Sequence, residues 1–168
     1  VPGIFQLDKD GVIVDTHQTL GARLIALEKS GELRTKDIQA ALHQIFTNVR
    51  LKHLVEIRGA DRPPKGHEMA PVAFWTGVLT SESVRDEILS VVKKWTPENR
   101  HHFNKVSLVL DDSQIGPEGK SYREWNQWMG EMAMAGLKER GLGEENYFEE
   151  FFNIVMGKGP FSLQEQTD

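Results

Sequence analysis

Glu56 and Arg58 are the two residues whose types and spacing most suggest chemistry. They stand two apart, and on a strand that separation sends both side chains into the same volume. Arg50 and Lys52 fall on the same face by the same period, with Leu54 between the charges. A guanidinium suits a phosphoryl or carboxylate partner because its planar fork donates two parallel hydrogen bonds. Spacing alone leaves two readings open. The face is either a solvated cross-strand ion-pair ladder or the charged wall of a cavity, and for Arg50 and Lys52 either surface solvation or contact with an anionic ligand.

Other reactive types offer less. The chain has no cysteine, which removes disulfides, thiolate nucleophiles and cysteine metal sites together. His101 and His102 are adjacent, so on a helix they point in different directions without an i, i+4 partner, which argues against a zinc site. No serine stands in a nucleophile-elbow motif. Trp75, Met132, Met134, Phe148 and Phe152 fall at helical spacing and read as core.

The stretch Asn48 to Asp61 must position the charged face. Read as one strand, it puts Val49, Leu51, His53, Val55 and Ile57 on a packed side, opposite Arg50, Lys52, Leu54, Glu56 and Arg58. Gly59 then serves a backbone requirement at the strand end. Ahead of it, Gly3 to Leu7 and Val12 to Asp15 read as a hairpin turning at Asp8-Lys9-Asp10-Gly11. Leu20 to Leu27 reads as a helix closed by Gly31, and Thr35 caps a second helix with Ile38, Ala41, Leu42, Ile45 and Phe46 on its apolar stripe. Two prolines and two glycines between Gly59 and Met69 make a loop. Pro71 to Leu79 is a buried helix, and Ser81 or Ser83 caps the next. Thr96-Pro97-Glu98 and Ser121 with Glu124 are helix starts. Glu144 to Met156 and a start at Ser162 follow. The expected fold class is α+β in a single domain, with an antiparallel sheet over the strand-rich residues 1–70 and helices over 71–168.

With 168 residues, 39% of them hydrophobic and 27% charged, the chain can bury one core. A formal net charge of −5 gives no electrostatic reason to expect nucleic acid. No apolar run reaches the roughly 18 residues of a membrane helix, so no membrane partner is expected and cytoplasm is the default location.

V-R-L-K-x-x-x-E-I-R-G-A-D over Val49 to Asp61, followed by A-P-V-A-F-W-T-G-V-L from Ala70, resembles the glutamate–cysteine ligases of the plant and proteobacterial type. V-P-G-I-F and D-K-D-G before it, and V-V-K-K-W-T-P-E-N-R and A-G-L-K-E-R-G after it, extend the resemblance over nearly the whole chain. The resemblance implies a partial glutamine synthetase-like catalytic fold, with the antiparallel sheet covered by helices on one side. It implies ATP, glutamate and cysteine as substrates and magnesium as cofactor, with a γ-glutamyl phosphate intermediate on the way to γ-glutamylcysteine. Glu56 matches a magnesium ligand and Arg58 a contact to the transferred phosphoryl group; Arg50 and Lys52 are candidates for ATP phosphates or a substrate carboxylate.

On this resemblance the chain is expected to be a C-terminal portion of such an enzyme. In that family most other metal carboxylates come from the N-terminal half, so weak or no ATP and magnesium binding is expected of this chain alone. A related carboxylate–amine ligase, or a non-catalytic module that retains the fold, are the alternative readings. Without the remaining strands a sheet edge and an apolar face would be uncovered, which makes a homodimer through that edge the expected form of self-association.

Overall fold

Eight helices and two short hairpins account for the residues that the computed structural model describes, 5–7, 10–15, 17–43, 47–51 and 53–167. Their internal contacts divide the chain into two units, Val1–Asp61 and Arg62–Asp168. The architecture is α+β, with antiparallel strands early and helices throughout the later part.

The first unit opens with β1 (Phe5–Leu7) and β2 (Ile13–Asp15), paired antiparallel with Phe5 opposite Asp15. Gly11 takes φ +78° in the connection, a conformation costly for any residue with a Cβ. Gly3, Asp8 and Lys9 of the expected hairpin lie outside the described residues. Helix α1 (Leu20–Ser30) starts at Thr19, whose side chain accepts the Ala22 N–H, and ends at Gly31 in the left-handed region. Helix α2 (Thr35–His43) departs from expectation at its start. Thr35 lies inside the first turn, and it is the Asp37 carboxylate that reaches back to the Arg34 N–H at 3.0 Å. Leu20, Ala41 and Leu24 form the apolar contact of these helices; Ile45 and Phe46 are outside the described residues.

The stretch expected as one strand is a hairpin. β3 (Val49–Leu51) turns back as β4 (Val55–Ile57), with Val49 opposite Ile57, Arg50 opposite Glu56 and Leu51 opposite Val55. His53 and Leu54 lie in the bend and are exposed, so neither takes the face expected of it. On the opposite face, expected to be packed, Val49 is 52% and Val55 60% exposed, while Ile57 is half-buried.

The second unit is built on a close helix crossing. α3 (Ala70–Thr80), α4 (Glu82–Val92), α5 (Pro97–Val106), α6 (Tyr122–Arg140), α7 (Asn146–Lys158) and α8 (Phe161–Thr167) follow in order. A Cβ on Gly77 of α3 would lie 2.1 Å from the Ala133 carbonyl oxygen of α6, and one on Gly136 would lie 2.0 Å from the Gly77 oxygen. The backbones therefore meet with no room for a methyl group. Ala70, Ala73, Val78, Ala133, Met134, Leu137 and Phe148 are buried around the crossing, with Phe74, Trp75 and Phe152 packed against them. Trp75, Met134, Phe148 and Phe152 belong to this core or pack against it, as their spacing suggested, whereas Met132 is half-buried and outside the cluster.

Ser81 caps α4 through the Val84 N–H and also donates, with Ser83, to the Glu139 carboxylate of α6. Thr96 and Asn99 make a capping box on α5, and Ser121 and Glu124 make another on α6. The 111–120 loop is ordered by the Asp111 carboxylate, which accepts from Ser113 and Gln114. Trp125, 2% exposed, packs against Trp95, Phe103 and Trp128 while its indole donates to the Pro117 carbonyl at 3.1 Å.

Two outcomes follow from this packing. Gly77→Ala should lower unfolding stability by about 1–3 kcal/mol or more through overpacking. Gly157→Ala on α7, where a Cβ meets nothing within 4 Å, should leave stability unchanged or raise it by about 0.5–1 kcal/mol. Urea unfolding of the two variants checks both. The hydrogen bonds from Ser81 and then Ser83 hold the Glu139 carboxyl below its ordinary value of 4.5. A depressed folded value contributes stability at higher pH that is lost as pH falls through it. Glu139→Gln should therefore flatten the acid limb of a thermal-stability profile and leave its shape near neutrality unchanged.

Candidate functional site: the charged face of the second hairpin

The hairpin places the charged residues together by register. Because β3 and β4 pair with Arg50 directly opposite Glu56, side chains on the two strands share a face when they are cross-strand partners. Arg58 directly follows β4, two residues beyond Glu56, and falls on the same side; its N–H donates to the Asn48 carbonyl at 2.7 Å, extending the ladder. The grouping of Arg50, Glu56 and Arg58 expected from a single strand thus survives in a different geometry.

Arg50 is the anchor. It is 9% exposed, and a guanidinium that far from water must be paired. Its Nε and Nη2 each lie 2.7 Å from Glu56 Oε2, and its Nη1 donates to the His43 carbonyl at 2.7 Å. The last carbonyls of a helix lack intrahelical partners and carry partial negative charge, so Arg50 also ties the end of α2 to the hairpin. Arg58 approaches the same Glu56 oxygen, with Nη1 at 4.0 Å. One carboxylate oxygen therefore faces two guanidinium groups. Arg58 is about one third exposed and is the more solvent-accessible cation of the pair.

Lys52 lies outside the described residues. Gly59 does not have the special role expected of it: it has no positive φ, and a Cβ there would meet Asn48 at an ordinary 3.6 Å. The Arg50 bond to His43 had no sequence signal, because it depends on where α2 ends relative to the hairpin.

Residues 2–158 match the model of Glutamate-cysteine ligase family 2 (GCS2). The chain belongs to this family. Similar proteins include the chloroplastic glutamate–cysteine ligase of Brassica juncea, 44% identical over 81 residues, which cover 47% of this chain and 16% of that protein. The chloroplastic ligases of Medicago truncatula and Solanum lycopersicum are 32% identical over 126 residues and 33% over 129. Each of these two matches covers 74% of this chain, and the chain spans about a quarter of either relative's length. The expectation of a cytoplasmic protein is corrected by these relatives, all named as chloroplastic. The composition and hydropathy on which it rested carry no information about an organelle address.

The resemblance assigns magnesium to this face, and the donor set tests that fit. Among the described residues no group of three or more histidine, aspartate or glutamate side chains is placed to hold a metal ion. Magnesium requires near-octahedral oxygen coordination. Glu56 offers one carboxylate, with Oε2 already facing Arg50 and Arg58, so the described residues do not make a magnesium cage by themselves.

The Arg50–Glu56 pair should be coupled in folding. In a cycle of Arg50→Met, Glu56→Gln and the double variant, urea unfolding should give a coupling energy of about 1–3 kcal/mol, the range for hydrogen bonds to charged groups. A coupling near zero would mean the pair is not formed in solution.

Proposed function

We propose that this chain forms part of an ATP-dependent glutamate–cysteine ligase and supplies one charged wall of its phosphoryl-transfer site. The observation that carries the reading is the convergence of Arg50, Glu56 and Arg58 on one hairpin face, within a segment that matches the ligase family.

The chemistry asks for such a face. A γ-carboxylate is a poor acyl donor because its leaving group would be oxide, so its oxygen first attacks the γ-phosphorus of ATP, giving γ-glutamyl phosphate and ADP. The cysteine amine then attacks the acyl carbon, loses a proton and expels phosphate, forming the amide of γ-glutamylcysteine. In the first step an anion must approach a polyanion. Arg58 lowers that barrier by donating to the phosphoryl oxygens as charge spreads over them. Glu56 orients Arg58 and is the described carboxylate on this face able to supply a single ligand to a cation. No step is assigned to a metal here, since the remaining ligands of a cage are not among the described residues.

A segment exchange tests the reading. The 126 residues aligned with the Medicago truncatula ligase would replace their counterpart in that protein, and ADP release would be followed with Mg-ATP, glutamate and cysteine. The exchanged protein should release ADP in a glutamate-dependent manner, and Arg58→Ala should lower kcat by about 100-fold or more. Full activity of the Arg58→Ala form would remove Arg58 from the reaction. An exchanged protein that folds and releases no ADP would favour a module without the chemistry.

A further inference from the structure

We propose that Arg50 is a positioning residue for Glu56, and through it for Arg58, and does not itself contact ATP or substrate. The proposal rests on the ligase reading only for its consequence in catalysis; the positioning itself is a property of the hairpin. Three observations carry it. All three guanidinium nitrogens of Arg50 have protein partners, Nε and Nη2 on Glu56 Oε2 and Nη1 on the His43 carbonyl. The side chain is almost fully withdrawn from solvent, whereas Arg58 on the same face is not. The two strands are in the register that makes Arg50 and Glu56 direct partners, so the contact needs no reach.

The arrangement has a direction. With Nε and Nη2 on the same oxygen, the carboxylate of Glu56 is held against rotation about its terminal bond, a torsion that is otherwise broad. Arg58 Nη1 lies 4.0 Å from that same oxygen. The orientation of the outer guanidinium is thereby set by the inner one, as a buried partner sets a ligating group elsewhere in proteins. Lysine cannot reproduce this, since an ammonium is a point charge without the fork.

The decisive measurement is side-chain ¹³C relaxation at Glu56 in the 168-residue chain, free of nucleotide, for the native protein, Arg50→Lys and Arg50→Met. The native Glu56 side chain should give an order parameter of roughly 0.8, falling below about 0.6 in both variants, while the Hα shifts of Val49 and Ile57 stay at their strand values. An unchanged Glu56, or one already disordered in the native chain, would overturn the proposal. So would collapse of the hairpin shifts in both variants, which would make Arg50 a structural residue only.

The segment-exchanged ligase adds a kinetic readout that a structural role would not give. Arg50→Lys should lower kcat by about 10–100-fold with the KM for ATP within about twofold, since no ATP contact is removed. A raised KM for ATP with unchanged kcat would make Arg50 a nucleotide contact and overturn the proposal. Absence of ADP release from the exchanged native form, with Glu56 ordered by Arg50 in the relaxation experiment, would reject the ligase reading and leave the positioning intact.

Discussion

The first unit depends on a buried charge that has to be satisfied. Arg50 is withdrawn from water with its guanidinium divided between Glu56 and the end of α2. An unpaired guanidinium there would cost several kcal/mol, so strand register and helix end are both constrained to keep its partners in reach. A slip of one residue would send Glu56 to the opposite face and leave Arg50 without its carboxylate. The grouping of Arg50, Glu56 and Arg58 on one face is therefore tied to the electrostatics that hold the hairpin. Among the described residues of this unit the buried apolar contact is Leu20 with Ala41 and Leu24, and Val49 and Val55 remain largely exposed, so beside the backbone ladder the ion pair is the main described tie on the hairpin.

The second unit is stabilised on different terms. Its core rests on backbone approach, with Gly77, Ala133 and Gly136 letting two helices meet where any larger residue would separate them. Around that contact Phe74, Trp75, Phe148, Phe151 and Phe152 pack with the buried aliphatic residues, and polar groups join the helices through Ser81, Ser83 and Glu139. Interiors of this density respond to a single added methyl group. The contrast between the units is one of mechanism: one is organised by a paired charge, the other by close packing of small and aromatic residues.

Much of this was legible in the residues, and the exceptions have physical causes. Gly31, Ser81, Thr96 and the Ser121 and Glu124 box announced their helix ends because capping depends on short side chains near the backbone. The hairpin at Val49 to Ile57 is hidden in the sequence because its described bend residues, His53 and Leu54, include none of the glycine, asparagine or proline that signals a tight turn. Alternation survived the fold-back only because the register keeps Arg50 and Glu56 on one face. Arg50, Glu56 and Arg58 therefore share a face as a single strand would have placed them, while Lys52 lies outside the described residues and His53, expected inside, lies exposed at the bend. The clamp from Arg50 to His43 was beyond periodicity altogether, since it joins an element end to a side chain through tertiary placement.

The central claim is that the hairpin register brings Arg50, Glu56 and Arg58 to one face. Nuclear Overhauser spectroscopy of the 168-residue chain tests it most directly. The bond from the Arg58 N–H to the Asn48 carbonyl makes Val49 and Ile57 a non-hydrogen-bonded pair, in which opposed Cα atoms approach to about 4.5 Å. A strong Hα–Hα cross-peak between Val49 and Ile57 is the predicted result. Its absence, with extended shifts running unbroken from Val49 to Ile57, would show a single strand and contradict the account.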